Sequence, residues 1–495
     1  MHAQGRGGLL EGERPPSVLR RFHPIILVLK SASGMASSRT APHGTTAVVW
    51  FRRDLRVGDH PALRRALREY DRVVPLFVCD PRLLGASGVN RLAFLSGCVR
   101  ELDRSIDGRL VIRSGPPERI VFDVARTVGA AAVLVTSDSG PYGRGRDERV
   151  ATALGERCPL LSVGSSYAVE PGTLHTAAGS PFQVFSPFSR AWREHGWDAP
   201  ADVPQLGGLD RAGLANEGGF PQAETGARLP EPGEAAAHRR LDAFLAQHVD
   251  GYRVERDRPD LDHTSRLSPY LRFGCLHPRQ ILSRLEPGRA GHDIFASELC
   301  WREFYADVLH HRPDSARTHY RSDWRSFQVD TGRGADERFL AWTEGRTGYP
   351  IVDAGMRQLL AEGWMHNRVR MIVASFLVKD LHLDWTRGAR WFMRHLVDGD
   401  LASNQLNWQW VAGSGTDAAP FFRVFNPTTQ GRKFDPDGEY VRRWVPELRS
   451  VDGDVVHEPW KSADTLFDGS DYPPPLVDHG VERDEALARF RRLGR

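Results

Sequence analysis

Between residues 46 and 163 the sequence alternates short apolar runs with amphipathic stretches, and this alternation limits the fold more than any other feature. The apolar runs have the length and β-branched content of buried strands and occupy 46–50, 73–79, 110–112, 131–136 and 160–163. Helical patterns lie between them at 61–70, 90–106, 117–128 and 146–154. Such alternation predicts a parallel, doubly wound α/β sheet, which binds ligands at the carboxyl ends of its strands. No Gly-x-Gly-x-x-Gly follows the first run, so the usual dinucleotide fingerprint is absent.

The chain beyond residue 235 shows helical patterns and no convincing strand pattern after residue 265. The clearest helical pattern covers 356–378, where the apolar residues form one broad stripe. Residues 1–44 are rich in Gly, Arg, Ser and Pro, which is typical of a disordered segment. Met35, within this segment, is a candidate for the native start. These patterns predict a disordered extension at 1–44, an α/β domain at 45–170, a connection at 171–234, an all-helical domain at 235–480 and a tail at 481–495.

The composition is that of a soluble globular protein of 495 residues with a net charge of +3. A sequence pI near 8.6 permits a local basic surface for nucleic acid but does not require one. The five cysteines are scattered without a Cys-x-x-Cys pair, which argues against structural zinc, an iron–sulfur cluster or a disulfide scaffold. No apolar run approaches the ~20 residues of a membrane span. We therefore expect a cytoplasmic protein that does not contact the membrane.

The stretch from Asp398 to Arg423 carries an unusual combination of side chains. Asp400, Asn404 and Trp408 are four residues apart, so a continuous helix would place them in one stripe. Two interpretations remain open: a capped helix end with tryptophans in the core, or a polar stripe that faces a planar ligand. The two aspartates at 398 and 400 begin like a calcium loop, but Ser403 stands where that loop needs glycine. No metal site is predicted here.

Four further groups of residues each allow a structural and a functional interpretation. Hydroxyls and an arginine at 264–270 suit a phosphate cradle or a plain capped helix. Glu298 and Arg302 are either a helical ion pair or part of a polar site with Trp301 and Tyr305. Residues 364–371 are either a solvated basic face or a site wall. Basic and aromatic residues interleave at 421–434, as in an ordinary loop or a surface for a nucleic-acid backbone.

Taken together, these motifs closely resemble the cryptochrome/photolyase family, and within it the class I cyclobutane pyrimidine dimer photolyases. The matching stretches keep the family's order over about residues 46 to 480. They are Trp-Phe-Arg-Arg-Asp-Leu-Arg at 50–56, Thr-Ser-Arg-Leu-Ser at 264–268, Trp-Arg-Glu-Phe-Tyr at 301–305, Gly-Tyr-Pro-Ile-Val-Asp-Ala at 348–354, Trp-Met-His-Asn-Arg at 364–368, Phe-Leu-Val-Lys-Asp at 376–380, Asp-Gly-Asp-Leu-Ala at 398–402 and Gly-Thr-Asp-Ala-Ala-Pro at 415–420.

The resemblance implies a Rossmann-like α/β antenna domain followed by an all-helical domain that holds U-shaped FAD. It implies that Arg370 pairs with Asp398 beside the isoalloxazine, that Asp400 meets the N3/O4 edge of the ring, and that Asn404 faces N5. The residues that it assigns to FAD are Tyr252, Thr264, Ser265, Arg266, Leu267, Ser268, Arg302, Asn367, Arg370, Asp398, Asp400 and Asn404.

The resemblance also implies light-driven repair of cyclobutane pyrimidine dimers in UV-damaged DNA, by electron transfer from excited reduced FAD to a flipped-out dimer. Glu298 would bond the pyrimidine carbonyls, with Asn367 between flavin and lesion. Trp301 and Trp410 would stack on the dimer, and Met371 would fill the pocket. The phosphate contacts implied around the pocket are Arg368, Arg423, Arg432 and Lys433.

Light harvesting and electron relay complete the implied set. Trp408 and Trp385 match the family's tryptophan relay, and Trp324 is the candidate for its surface end. Arg91 and Asp138 resemble the antenna residues of relatives that bind the deazaflavin 8-HDF, with methenyltetrahydrofolate as the alternative.

The rival functions are a cryptochrome photoreceptor and a (6-4) photolyase; the first usually carries a long C-terminal extension, and the second needs a histidine pair where Met371 stands. We expect a monomer that joins the nucleoid when bound to DNA.

Overall fold

The computed structural model of the chain describes residues 45–417, 422–461 and 471–493. Five parallel strands form one sheet in the order β3-β2-β1-β4-β5. The strands are β1 (Thr46–Phe51), β2 (Arg72–Cys79), β3 (Val111–Ser114), β4 (Ala130–Ser137) and β5 (Leu160–Ser165). All five occur where the apolar runs predict them, and the parallel doubly wound sheet is confirmed. The predicted disordered extension at 1–44 lies outside the described residues.

Helices connect the strands and cover the sheet. They are α1 (Pro61–Glu69), α2 (Pro81–Ala86), α3 (Val89–Ser105), α4 (Pro117–Thr127) and α5 (Pro141–Leu154). Four of these begin with a proline in the first turn, where its missing N–H costs nothing. The side chains of His60 and Asp80 accept hydrogen bonds from the first-turn amides of α1 and α2. Because the strands are parallel, the carboxyl ends of β1, β2 and β4 lie at one edge of the sheet.

The connection between the two halves is ordered and packs on both. Leu209 and Glu217 form isolated parallel bridges with Val73 and Arg113 of the sheet. On the other side, the buried Glu303 accepts hydrogen bonds from Ala168 N at 2.6 Å and from Trp192 Nε1 at 2.7 Å. Trp192 belongs to α6 (Phe185–His195), the helix of this connection. The segment therefore fastens the helical half to the sheet.

The remainder of the described chain is helical. Its helices are α7 (Glu234–Gln247), α8 (Tyr252–Glu255), α9 (Ser268–Phe273), α10 (Pro278–Leu282), α11 (Ala290–His311), α12 (Arg333–Glu344), α13 (Pro350–Glu362), α14 (Asn367–Ser375), α15 (Trp385–His395), α16 (Leu401–Ala412), α17 (Pro427–Phe434), α18 (Glu439–Trp444) and α19 (His479–Arg492), with short 3-10 turns between some of them. Among the described residues, no helix is both long and apolar enough to cross a membrane.

Two sequence expectations for this half are wrong in detail. The helical pattern at 356–378 predicts one helix, but α13 ends at Gly363, whose φ of +60° suits a glycine cap. A new helix, α14, begins after its N-cap His366, and a π-helical turn follows it at Phe376–Asp380. Asp400 lies outside the helix and caps α16 through Ser403 N. The stripe is therefore shorter than expected, and the Asp400 carboxylate is placed by its capping role.

The contact between α15 and α16 leaves no room for a side chain at Gly388. A Cβ there would lie 2.1 Å from Cη2 of Trp408 and 2.5 Å from Leu377 Cδ2. We expect Gly388→Ala to lower the free energy of unfolding by about 2 kcal/mol, because the rigid indole cannot move aside without disturbing the core. Urea denaturation followed by circular dichroism measures the change.

Gly334 in α12 is the matched control, because a Cβ built there meets nothing within 4 Å. Gly334→Ala should be neutral or slightly stabilising, since alanine is the better helix former. Equal stability of the two variants would show that the Gly388 contact is looser than the structure indicates.

Candidate active site

A cavity of about 460 Å³ opens in the helical half, between α9, α11, α14 and α16. It gathers nearly every residue that the sequence assigns to a cofactor or to a lesion. Its walls include Tyr252, Thr264, Ser265, Arg266, Leu267, Ser268, Glu298, Trp301, Arg302, Asn367, Arg368, Arg370, Met371, Asp398, Asp400, Asn404, Trp408 and Trp410. The polar stripe of α16 thus faces a ligand-sized space, which favours the ligand interpretation of that stretch.

Residues Thr264–Ser268, called the phosphate loop here, form one end of the cavity. Arg240 of α7 holds the loop from outside by donating to the carbonyls of Thr264 at 2.9 Å and Ser265 at 2.8 Å. Arg266 adopts a positive φ of 50° and its guanidinium lies 4.3 Å from the Trp364 ring centroid. The buried hydroxyl of Thr264 has no hydrogen-bond partner in the described chain. The loop therefore offers a buried donor beside a cation, as a phosphate or a sugar hydroxyl requires.

The opposite wall carries Arg370 and Asn404, and the resemblance implies the first of their contacts, the pair of Arg370 with Asp398. Arg370 donates to both carboxylate oxygens of Asp398, at 3.3 and 2.8 Å. The Asn404 amide nitrogen donates to Ala389 O at 3.1 Å and to Gln405 Oε1 at 2.8 Å. With both amide protons used inside the protein, the Asn404 carbonyl oxygen remains as an acceptor for a ligand.

Asp400 lines the cavity and also has charged partners within the protein, while its contact with the flavin N3/O4 edge stays a prediction. Its carboxylate caps α16 and accepts from Arg53 at 2.7 Å, with Arg272 Nε at 3.9 Å. Burial would raise the pKa of this carboxyl, but the guanidiniums of Arg53, Arg272 and Arg302 outweigh burial and hold the pKa well below its usual range. The Asp400 carboxylate is therefore an ionised bridge between the two halves as well as part of the cavity wall.

Glu298 stands on α11 at the mouth of the cavity, paired with a residue that sequence reasoning missed. Arg256 Nη1 lies 2.5 Å from Glu298 Oε1. Burial raises the pKa of the Glu298 carboxyl, and Arg256 offsets only part of this rise. Beside it, Arg368 donates to both oxygens of Asp257, at 3.1 and 2.8 Å. The mouth therefore carries two arginines, of which Arg256 pairs with Glu298 and Arg368 pairs with Asp257.

Aromatic side chains line the same mouth. Trp301 stacks on Phe185 of α6, with ring centroids 3.6 Å apart and planes 6° from parallel. Trp410 donates from its indole nitrogen to Asp417 O at 3.1 Å. Phe185 is a second residue that the sequence did not single out, because it lies in the connection, far from Trp301 in the chain. It fixes one face of Trp301 and so fixes the plane of that wall.

The three tryptophans assigned to electron transfer are all buried, which corrects one expectation. Trp324 is only 2% exposed and packs against Phe327, Phe422 and Phe490, so it is not a surface residue. His319 lies between Trp324 and Trp385, with ring centroids 6.4 and 5.9 Å away. The relay itself stays a prediction.

The residues expected to contact DNA phosphates lie in different surroundings. Arg368 lines the cavity, whereas Arg423, Arg432 and Lys433 do not. Arg432 is shared between Asp454 and Glu458, each at 2.7 Å. The Lys433 ammonium lies 5.1 Å from the Phe434 ring centroid. Arg368 is thus the member of this set nearest to the site.

A second cavity, of about 220 Å³, lies at the carboxyl ends of β1, β2 and β4, where such sheets bind ligands. Its lining includes Trp50, Asp80, Asp138 and Tyr142. Arg91 does not line it, because its guanidinium donates to the carbonyls of Met393 and Leu396 and ties α3 to the end of α15. Arg53, Arg272 and Asp400 line the wall toward the first cavity.

The fold and the two cavities define a class of protein. A doubly wound sheet carries the smaller cavity, and the helical half carries the larger cavity with the phosphate loop, as in a two-domain protein that binds a nucleotide cofactor. The family described as "DNA photolyase" matches residues 47–205, and the "FAD binding domain of DNA photolyase" matches residues 295–492. The chain belongs to the cryptochrome/photolyase family.

Named relatives agree over nearly the whole chain. It is 43% identical to the deoxyribodipyrimidine photo-lyase of Streptomyces griseus, over 90% of this chain and 99% of that one. A crystal structure of a class III photolyase from Agrobacterium tumefaciens superposes with a TM-score of 0.80 at 37% identity, covering 92% of this chain and all of that one. An archaeal photolyase from Sulfolobus tokodaii with two FAD molecules has a TM-score of 0.79 at 31% identity, over 90% and 100% of the two chains.

The cavity in the helical half fits FAD. Its volume lies within the range of about 300–1,000 Å³ that is typical of cofactor sites. The orphaned Thr264 hydroxyl and the Arg266 guanidinium suit the phosphate and sugar of a dinucleotide. The Arg370–Asp398 pair and the Asn404 carbonyl suit the polar edge of a flavin ring.

Proposed function

We propose that this protein is a light-driven deoxyribodipyrimidine photo-lyase that splits cyclobutane pyrimidine dimers in DNA. One observation carries the proposal: a single cavity joins the phosphate loop and the Asn404 edge to Glu298 and the aromatic mouth. A cofactor bound by the loop would therefore lie beside a pyrimidine dimer that enters through the mouth. The names of the relatives support the same chemistry, and neither a cryptochrome nor a (6-4) photolyase is favoured by them.

The protein's part in this reaction is to hold and to orient. Bound FAD supplies one electron when it is reduced and excited by light, and recovers that electron when the dimer has split. The phosphate loop and Arg266 bind the pyrophosphate end. Arg370, held by Asp398, fixes the ring edge, and the Asn404 carbonyl accepts a hydrogen bond from a ring N–H. Tyr252, Arg302 and Asn367 complete the binding set.

The lesion side needs a flipped-out dimer, that is, two adjacent pyrimidines of one strand, since a dimer within a duplex cannot reach the cavity. Photolyases as a class extrude the target in this way, and a lesion that stacks poorly is cheap to extrude. Trp301 and Trp410 form the walls, and Met371 fills the pocket. In its protonated form, which burial favours by raising the pKa of the carboxyl, Glu298 would donate a hydrogen bond to a pyrimidine carbonyl and so stabilise negative charge on it.

Phosphate contacts around the mouth make DNA binding depend on salt. Arg368 lies closest, with Arg423, Arg432 and Lys433 farther along the surface. Each phosphate contact releases counterions, so affinity falls as salt rises. Because Arg432 already has two acidic partners, we expect it to contribute least to DNA affinity among these four residues. We infer a monomer in the cytoplasm that associates with the nucleoid through damaged DNA.

The cavity beside the sheet holds the antenna chromophore in this proposal. Asp138 and Tyr142 lie in its lining, and both 8-HDF and methenyltetrahydrofolate remain candidates. The Arg53–Asp400 contact lies between the two cavities, so a chromophore there is close to the flavin. Excitation energy absorbed at the sheet would then reach the reaction site.

Trp324→Phe tests the outer step of the electron relay. We expect slower light-driven reduction of oxidised flavin, since phenylalanine is harder to oxidise but keeps the packing against Phe422 and Phe490. Absorbance under blue light with an external thiol measures the rate. Trp444→Phe, in a half-exposed ring outside this cluster, is the control. Unchanged kinetics in Trp324→Phe would remove Trp324 from the relay.

The deciding experiment is repair of a defined thymine dimer in a single-stranded oligonucleotide, under blue light and with fully reduced FAD. Restored thymine absorbance in the light, and none in the dark, supports the proposal. A (6-4) photoproduct in the same sequence is the parallel substrate. Bound flavin without repair of the dimer would overturn the enzyme function in favour of a photoreceptor.

A further inference from the structure

Two histidines and a glutamate meet next to the phosphate loop, outside the cavity lining. His248 follows the end of α7, Glu255 lies on α8, and His263 immediately precedes Thr264. Each offers one ligand atom, and these atoms lie within 4.8 Å of one another. His263 Nδ1 is 2.8 Å from Glu255 Oε2, and the two imidazole centroids are 4.3 Å apart. All three side chains are half-buried, so an ion can reach them from solvent.

We propose that His248, Glu255 and His263 bind a divalent transition-metal ion, with Zn²⁺ as the preferred ion. Imidazole nitrogens together with a carboxylate are typical zinc ligands, whereas calcium and magnesium prefer oxygen alone. Zinc bonds of about 2.0–2.1 Å in tetrahedral geometry place ligand atoms about 3.4 Å apart. Small side-chain rotations would bring the present spacings to that value, from 2.8 Å for the His263–Glu255 pair and from up to 4.8 Å within the set. Water fills the fourth position.

The position of the three residues gives the site a consequence. Arg240 already links α7 to the phosphate loop through the carbonyls of Thr264 and Ser265. A metal held by His248 and His263 adds a second link between the same helix and the same loop. Asp262, next to His263, also fixes Arg266 at 2.7 Å. The ion therefore holds the loop in its FAD-binding shape, and this consequence rests on the proposed function of the loop.

Without a metal, the same contacts would be a hydrogen bond from His263 to Glu255 with His248 stacked on it. That arrangement also accounts for the pair of half-buried rings. It predicts that zinc binds here no more tightly than at other histidines of the surface, whereas the metal site predicts tighter binding here. Direct titration separates the two accounts.

The test uses untagged, FAD-loaded protein titrated with zinc chloride by calorimetry in a buffer that does not chelate metal. We expect one saturable site per chain, weakened at least tenfold in His248→Gln and in His263→Gln. His238→Gln is the matched control, because His238 lies on the exposed side of α7, 4.0 Å from Glu234. Cobalt absorption bands that disappear in His263→Gln report the same site independently. Equal zinc binding by wild type and His263→Gln would overturn the proposal.

Release of FAD after dilution gives the second readout. Zinc should slow the release at least twofold in the wild type and leave His263→Gln unaffected, with folding of both confirmed by circular dichroism. Saturable binding without slower release would overturn the link to the loop. Neither measurement uses DNA repair, so a failure of the metal site and a failure of the photo-lyase function are distinguishable.

Discussion

Asp400→Asn is expected to lower the free energy of unfolding of the FAD-loaded protein by about 3 kcal/mol. Asparagine keeps the shape and can still cap α16, but it removes the charge that Arg53 and Arg272 face. Removing one partner of a fully buried ion pair costs about 3–5 kcal/mol, because the remaining charge stays desolvated. Arg53 and Asp400 are 26% and 13% exposed, which places this pair at the lower end of that range. The effect is confined to the charge, since the capping bond to Ser403 survives. Urea denaturation at pH 7 measures it.

The matched control is Asp242→Asn, which breaks the ion pair with Arg284 on the surface. Asp242 is 60% exposed and its carboxylate lies 2.6 Å from Arg284. Exposed pairs contribute at most about 1 kcal/mol, so this variant should be nearly as stable as the wild type. Equal losses in the two variants would show that Asp400 is not an interior counter-ion.

The pH dependence of the same variant provides a check on sign. The folded-state pKa of Asp400 lies below its ordinary value of 3.8, so its contribution is present above that value and is lost as pH falls through the folded pKa. The stability difference between wild type and Asp400→Asn should therefore be constant from pH 8 to pH 5 and should shrink below about pH 4. A difference that grows in acid would contradict the depressed pKa.

The Asp400 contact also shows what local sequence patterns leave out. Arg53 and Asp400 are 347 residues apart, so no periodicity relates them. Arg53 does belong to one of the stretches that carry the family resemblance, but that stretch gave it no partner. Arg256 and Glu298 are separated by 42 residues and escape for the same reason. Pairing across elements depends on tertiary packing, which spacing within one helix does not encode.

The strands were predictable because each is a short, largely apolar run; β1 and β2 are buried on both faces of the sheet, whereas β5 at its edge is partly exposed. The residues of the cavity were predictable through the family resemblance, since their own local patterns also suit plain capped helices. Burial was not predictable: Trp324 lies under Phe422 and Phe490, which come from distant parts of the chain. Gly363 marks the point where one long helical pattern divides into α13 and α14, because a glycine there can cap the first helix.

Glu298→Ala is expected to leave flavin content unchanged while it weakens binding of a dimer-containing oligonucleotide roughly tenfold. The variant leaves a buried pyrimidine carbonyl without its donor, which costs about 1–3 kcal/mol, and a cost of about 1.4 kcal/mol is a tenfold loss of affinity. Repair per absorbed photon should fall as well, because negative charge on the dimer loses its donor. Gel-shift titration, flavin absorbance and thymine recovery measure the three quantities separately. Glu344→Ala, at the exposed end of α12, should match the wild type in all of them.

Glu298→Gln separates the role of the proton from that of the charge. A glutamine amide donates a hydrogen bond from nearly the same place as a protonated carboxyl, and burial raises the pKa of Glu298 toward that form. Glu298→Gln should therefore retain more repair than Glu298→Ala. If glutamine were as damaging as alanine, the ionised carboxylate and its pair with Arg256 would be the functional state, and Glu298 would hold Arg256 toward the DNA rather than bond the dimer.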